Sequence, residues 1–112
     1  MKRNYLGEFE ELVLLTVAIL HPGAYGAAIT DEMDAQTGRS VSISAVHAAL
    51  ARLEEKGMLS SAFGEATQER GGRRKRLFTV TVLGNQTLQH VRDTRARLWD
   101  SITSKSLLTQ GI

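Results

Sequence analysis

The chain has 112 residues, of which 42% are hydrophobic and 23% charged, with a single proline; this composition suits one folded domain and excludes whole-chain disorder or a fibrous repeat. The absence of cysteine excludes a disulfide framework, a thiolate zinc site and a cysteine nucleophile together, and points to a reducing compartment. Fourteen basic against twelve acidic residues leave a net charge of only +2, so the placement of charge says more about partners than its sum.

A domain this small buries only about two-thirds of its unfolded surface, and aromatic residues make up just 5% of it, so self-association is expected. Pro22-Gly23, Gly38, Gly57, Gly71-Gly72 and Gly84 divide the chain into segments. Over residues 7–20, Phe9, Leu12, Val13, Thr16, Ile19 and Leu20 recur at the helical period, while Leu14, Leu15, Val17 and Ala18 make the later turns apolar all round. Such a helix must be covered on two sides, by its own domain and by the last helix or a partner chain. The apolar run at 12–20 is shorter than the roughly 20 residues a bilayer requires. Glu8, Glu10 and Glu11 precede it where a signal peptide needs positive charge, so the chain is expected in the cytoplasm and away from membranes.

A second, shorter helix is predicted over 24–37, with Ala28, Ile29 and Met33 on one face and Gly38 as its stop. Ser42 suits the N-cap of a third helix whose stripe of Ile43, Val46, Leu50 and Leu53 ends at Lys56 and Gly57. The period then changes to alternation over 59–65 and 74–82, two antiparallel strands with Gly71-Gly72 between them. Five of the seven residues 70–76 are basic and lie at this hairpin tip. From about Leu83 a helical period returns, with Leu88, Val91, Leu98 and Ile102 near heptad spacing, Arg95 interrupting the seam and the pattern fading after Leu108. Such a helix is roughly 36 Å long, more than a domain of this size covers by itself.

The predicted fold class is α+β, mainly α: a winged helix-turn-helix over residues 1–83, followed by a long C-terminal dimerisation helix over 84–112, the two forming one compact unit. An α-helix enters the major groove when its leading side chains are small or polar, and Ser42, Ser44, Ala45 and Ala48 fit that requirement. His47 and Arg52 then come within reach of a base or phosphate. The tip residues Arg70, Arg73, Arg74, Lys75 and Arg76 are expected to neutralise phosphates, which supplies affinity and register without reading sequence. Double-stranded DNA is therefore the expected partner. Leu88, Val91, Arg95, Leu98 and Ile102 are expected at a homodimer interface. His21, His47 and His90 lie in separate elements, so no metal site is expected, and no nucleophile elbow or phosphate loop occurs. A cofactor-free, non-enzymatic protein is the expectation. The alternative from another class is a winged-helix module that docks an acidic protein partner through the same basic hairpin.

Residues 6–105 resemble the PadR-type transcriptional regulators. Tyr25-Gly26-Ala27-Ala28-Ile29 is similar to the family's Gly-Tyr-Glu-Ile element, with Ala27 and Ala28 in place of its tyrosine and glutamate. The stretch 42–57 with its Arg52-Leu53-Glu54-Glu55-Lys56-Gly57 exit resembles the recognition helix, and Arg76-Leu77-Phe78-Thr79-Val80-Thr81 followed by Gly84 resembles the second wing strand and the turn after it. The chain departs from the pattern at His47, where a tyrosine is usual, and at Ala48 and Val82, where prolines are common. The resemblance implies a dimeric, ligand-responsive repressor on a pseudo-palindromic operator. It also implies membership of the compact branch, in which one regulator binds aromatic drugs between tryptophans at the dimer interface. By that similarity Trp99, the only tryptophan, is the candidate for a small aromatic effector, set against simple packing on a partner helix.

Overall fold

Short-range chemistry sets where each element starts and stops. The computed structural model describes residues 5–66 and 74–102, which form α1 (Glu8–Leu20), α2 (Gly26–Thr37), α3 (Ile43–Glu55), β1 (Leu59–Ala66), β2 (Arg74–Val80) and α4 (Val82–Asp100). Three carboxylates, Glu8, Glu10 and Glu11, occupy the first turn of α1, where they meet the positive end of the helix dipole. Gly38 closes α2 in the left-handed region at φ 70°, donating its N–H to the Asp34 carbonyl at 3.0 Å; glycine takes this conformation without a Cβ clash. The Asp34 carboxylate also accepts the Val41 N–H at 3.0 Å, which ties down the short link into α3. As the spacing predicts, Ser42 caps α3, its Oγ accepting the Ala45 N–H at 3.1 Å.

The three helices pack around one core. Val13, Leu14 and Val17 of α1 meet Ile29 and Met33 of α2 and Val46, Ala49, Leu50 and Leu53 of α3, with Met58, Leu59 and Phe78 closing the side nearest the sheet. Of the stripe predicted for α3, Val46, Leu50 and Leu53 enter the core and Ala49 joins them, while the Ile43 side chain is exposed. The antiparallel pair runs in the register Leu59 to Val80, Ser61 to Phe78 and Phe63 to Arg76, with an irregularity before Ala66 meets Arg74. The Phe78 N–H donates to the Ala24 carbonyl at 2.8 Å, so β2 is anchored to the segment that leads into α2.

Two boundaries shift by two residues from the sequence expectation. α2 begins at Gly26 because Tyr25 is extended at the N-cap position. β2 ends at Val80, and Val82 opens α4, because Thr81 acts as the cap: its Oγ1 accepts the Gly84 N–H at 3.1 Å and donates to the Gly57 carbonyl at 2.6 Å. The 19 residues of α4 span about 28 Å, shorter than expected, because the helix stops at Asp100 where the Ser101 N–H donates to the Arg97 carbonyl at 3.0 Å; Ile102 follows the helix, and the stretch from 103 to Leu108 lies outside the described residues. Leu83 and Leu88 pack on the core, Arg95 pairs with Glu11 of α1 at 2.9 Å, and beyond that point α4 leaves the domain with Leu98 and Trp99 about two-thirds exposed, at 65% and 68%. On α1, Leu15 and Ile19 are exposed as well, so part of the all-round apolar helix is left uncovered in a single chain. Among the described residues no helix is long and apolar enough to cross a membrane.

Candidate nucleic-acid interface

Burying Val46, Ala49, Leu50 and Leu53 leaves the opposite side of α3 to solvent. Ser42, Ser44, Ala45, His47 and Ala48 are all exposed there. The predicted reading residues therefore share one face, with no bulky side chain near the helix start other than the half-exposed Ile43. A helix with small leading side chains can bring its backbone close to base edges.

β2 runs beside this face and supplies its cations. Arg74 is exposed, and the Lys75 ammonium lies 4.2 Å from the Tyr25 ring centroid, within cation–π range. Arg76 is held from several sides: its Nε donates to Ser61 Oγ at 2.9 Å, one Nη lies 3.4 Å from Glu54, and its guanidinium stands 5.7 Å from the Phe63 ring. Ser61 in turn donates to Glu54 at 2.6 Å. These partners give Arg76 a fixed direction and offset part of its charge. Arg70 and Arg73 lie outside the described residues.

Between α3, β2 and the start of α2 lies a groove of about 270 Å³, bordered by Tyr25, Gly26, His47, Lys75, Arg76 and Phe78. His47 and Arg76 also border a second hollow running along α3 past Ala51 and Glu54. The imidazole thus stands as a ridge between two depressions. Tyr25 is half-buried and carries Lys75 on its ring. That contact has no signature in the sequence, because 50 residues separate the two side chains.

Arg52 stands apart from the other predicted contacts. It starts only about 40° round the helix from Ala48, but its Nε is drawn to Glu10, to which it donates at 2.8 Å. Glu10 is 6% exposed and also accepts from Lys56 at 2.6 Å and from the Gly7 N–H at 3.1 Å. Burial alone pushes the Glu10 carboxyl up, but the hydrogen bonds from Lys56, Arg52 and Gly7 outweigh it and lower its pKa from the ordinary 4.5 to about 2. Arg52 is therefore a tie between α3 and α1, with its outer part still exposed. Sequence reasoning missed this cluster, and no local pattern marks it.

Of the expected dimer residues, Leu88 and Val91 are half-buried, Leu88 against the chain's own core, and Arg95 is committed to Glu11. Arg95, Leu98, Trp99 and Ile102 border a shallow groove of about 170 Å³ at the far end of α4. Among the described residues no group of three or more His, Asp or Glu could hold a metal ion.

A sequence model of the family described as "Transcriptional regulator PadR-like family" matches residues 14–90. The PadR family transcriptional regulator of Eggerthella lenta DSM 2243 is 25% identical, with a TM-score of 0.64 over 83% of this chain and 80% of its own. A PadR-like transcriptional regulator of Bacillus cereus strain ATCC 14579 shares the fold with a TM-score of 0.70 over 93% of each chain at 14% identity. A PadR-like transcription factor of Bacteroides fragilis does so with a TM-score of 0.69, 20% identity, and 83% and 84% coverage of this chain and its own. No protein of curated function matches the chain.

Proposed function

The chain belongs to the PadR-like family of transcriptional regulators, and from that premise we propose that it acts as a homodimeric repressor on a pseudo-palindromic operator. Residues 1–83 form the reading head and 84–112 the dimerisation arm. The observation that carries this reading is the groove in which His47 of α3 stands beside Arg74 and Lys75 of β2, with Ser44 and Ala48 exposed on the same helix as His47. Small and polar groups address base edges in the major groove, and the flanking cations address phosphates. Arg70 and Arg73 are assigned to the same phosphate contacts by their position in the sequence. Arg52 contributes through the exposed part of its side chain, behind the tie to Glu10. Steric blocking of polymerase in the cytoplasm is the simplest mode of regulation for a chain built this way.

Selection of bound duplexes from a random pool tests the reading. The expected result is an inverted repeat with half-site centres about one helical turn, roughly 34 Å, apart. A pool that yields no enriched sequence, together with capture of a stable acidic protein partner, would favour the interaction module. Replacing Arg74 and Lys75 together by alanine is expected to weaken binding about tenfold and to make the slope of log K against log salt shallower by about 2. An unchanged slope would remove these residues from the phosphate contact.

Dimerisation is assigned to the outer end of α4, where Leu98 and Trp99, with Ile102 just past the helix end, present apolar surface to solvent in the single chain. Leu98→Glu would place a carboxylate in that contact and is expected to weaken the dimer about tenfold, read as a lower mass by light scattering at micromolar concentration. Trp99 is assigned first to this contact. An aromatic effector bound between two such residues would alter the spacing of the reading heads; quenching of Trp99 fluorescence by planar aromatic compounds is the measurement that addresses it.

A further inference from the structure

The groove between α2, α3 and β2 contains a relation that the proposed function leaves unused. Gly26 is buried at the first position of α2, and its φ is not positive, so the backbone there has no need of glycine. Space is the reason for it. The three heavy atoms nearest to a Cβ at this position would all belong to one side chain: Cε1 of His47 at 2.7 Å, Nε2 at 3.1 Å and Nδ1 at 3.6 Å. The polar N–C–N edge of the imidazole thus lies over the bare backbone of Gly26 and borders the groove.

We infer that Gly26 is a positioning residue for DNA reading, whose missing side chain lets the polar edge of His47 occupy the groove beside α3. The inference rests on the DNA-reading function proposed above and adds to it the residue that aims His47. A methyl group at position 26 would approach the ring closer than the 3.5–4.0 Å that carbon atoms prefer. The ring is the outer end of a flexible side chain, so it would swing away while the fold persists. His47 would then meet a base pair from a different direction, and hydrogen bonds to base edges weaken steeply with misalignment.

The test uses the full chain, the operator obtained by selection, and the variants Gly26→Ala, His47→Ala and their combination. Gly26→Ala is expected to bind the operator about tenfold more weakly, to lose preference at the same base pair as His47→Ala, and to keep its affinity for unrelated duplex and its thermal midpoint. In the His47→Ala background the additional loss from Gly26→Ala should vanish, because the two substitutions act through one side chain. Wild-type operator affinity in Gly26→Ala, or a loss that persists in full without His47, would overturn the inference. A measurement independent of any variant is the nuclear Overhauser contact between Hε1 of His47 and the Hα atoms of Gly26 in the free protein; it is expected, and its absence would also overturn the inference. A wild-type chain that enriches no sequence would bring down the base-reading function and this inference with it, a result distinct from normal wild-type selection with an inert Gly26→Ala.

Discussion

Gly84→Ala is expected to lower the unfolding free energy by about 3 kcal/mol, seen as a fall of roughly 10 °C or more in the thermal midpoint. The added Cβ would overlap the Met58 carbonyl oxygen and lie 2.9 Å from Val80 Cγ1 and 3.2 Å from the Met58 carbonyl carbon. Two of these three atoms are backbone, and that backbone is pinned. The Met58 carbonyl accepts the Thr81 N–H at 3.1 Å, and the Met58 N–H donates to the Leu53 carbonyl at 2.9 Å. Relief therefore requires moving α4 away from the exit of α3, which loosens the Thr81 cap at the same time. The base of α4 also sets how the arm leaves the reading head, so any folded fraction of this variant should bind the operator more weakly. A midpoint within about two degrees of wild type would show that the joint relaxes freely. The contrast with Gly26 is one of neighbours: the same methyl meets a movable ring at one site and held backbone at the other.

Glu10→Gln is the second large effect, about 2 kcal/mol of lost stability at neutral pH. Removing one member of a fully buried ion pair costs 3–5 kcal/mol, but here the side chain of Arg52 is 52% exposed and that of Lys56 24%, so water recovers part of the loss. The pH dependence is the sharper signature. With the folded pKa lowered from 4.5 to about 2, the folded chain binds fewer protons than the unfolded chain between these values, so stability rises with pH through that window. The contribution is present in full above about pH 4.5 and is lost as pH falls towards 2; the whole shift corresponds to about 3 kcal/mol. Urea unfolding of wild type and variant across pH 2–6 isolates it from the other carboxylates, since only the difference between the two curves belongs to Glu10. Parallel curves would mean that the carboxylate is not held by its two cations.

Each of these effects depends on pairs that are remote in the chain. Glu10 reaches Arg52 and Lys56 across 42 and 46 positions, and Arg95 reaches Glu11 across 84. No local pattern encodes such a partner. Arg52 looks in the sequence like one more cation on the reading helix, and only the packing of α1 against α3 turns it inward. Leu88 likewise looks like part of a dimer seam, yet in the folded chain it rests on the domain's own core.

What the amino-acid order determined by itself were the features governed by neighbours within about four residues. These are the helical periods of α1, α3 and α4, the Ser42 cap, the stops at Gly38 and Gly57, and the alternating strands β1 and β2. Together they made the winged helix-turn-helix, the exposed face of α3 and the resemblance to PadR regulators legible. The tertiary structure alone decided which cations are committed to carboxylates, which glycines are sites of close approach and which of those approaches can yield. Periodicity and capping are properties of a single element, whereas a partner 20 or more positions away in another element exists only once the elements have packed.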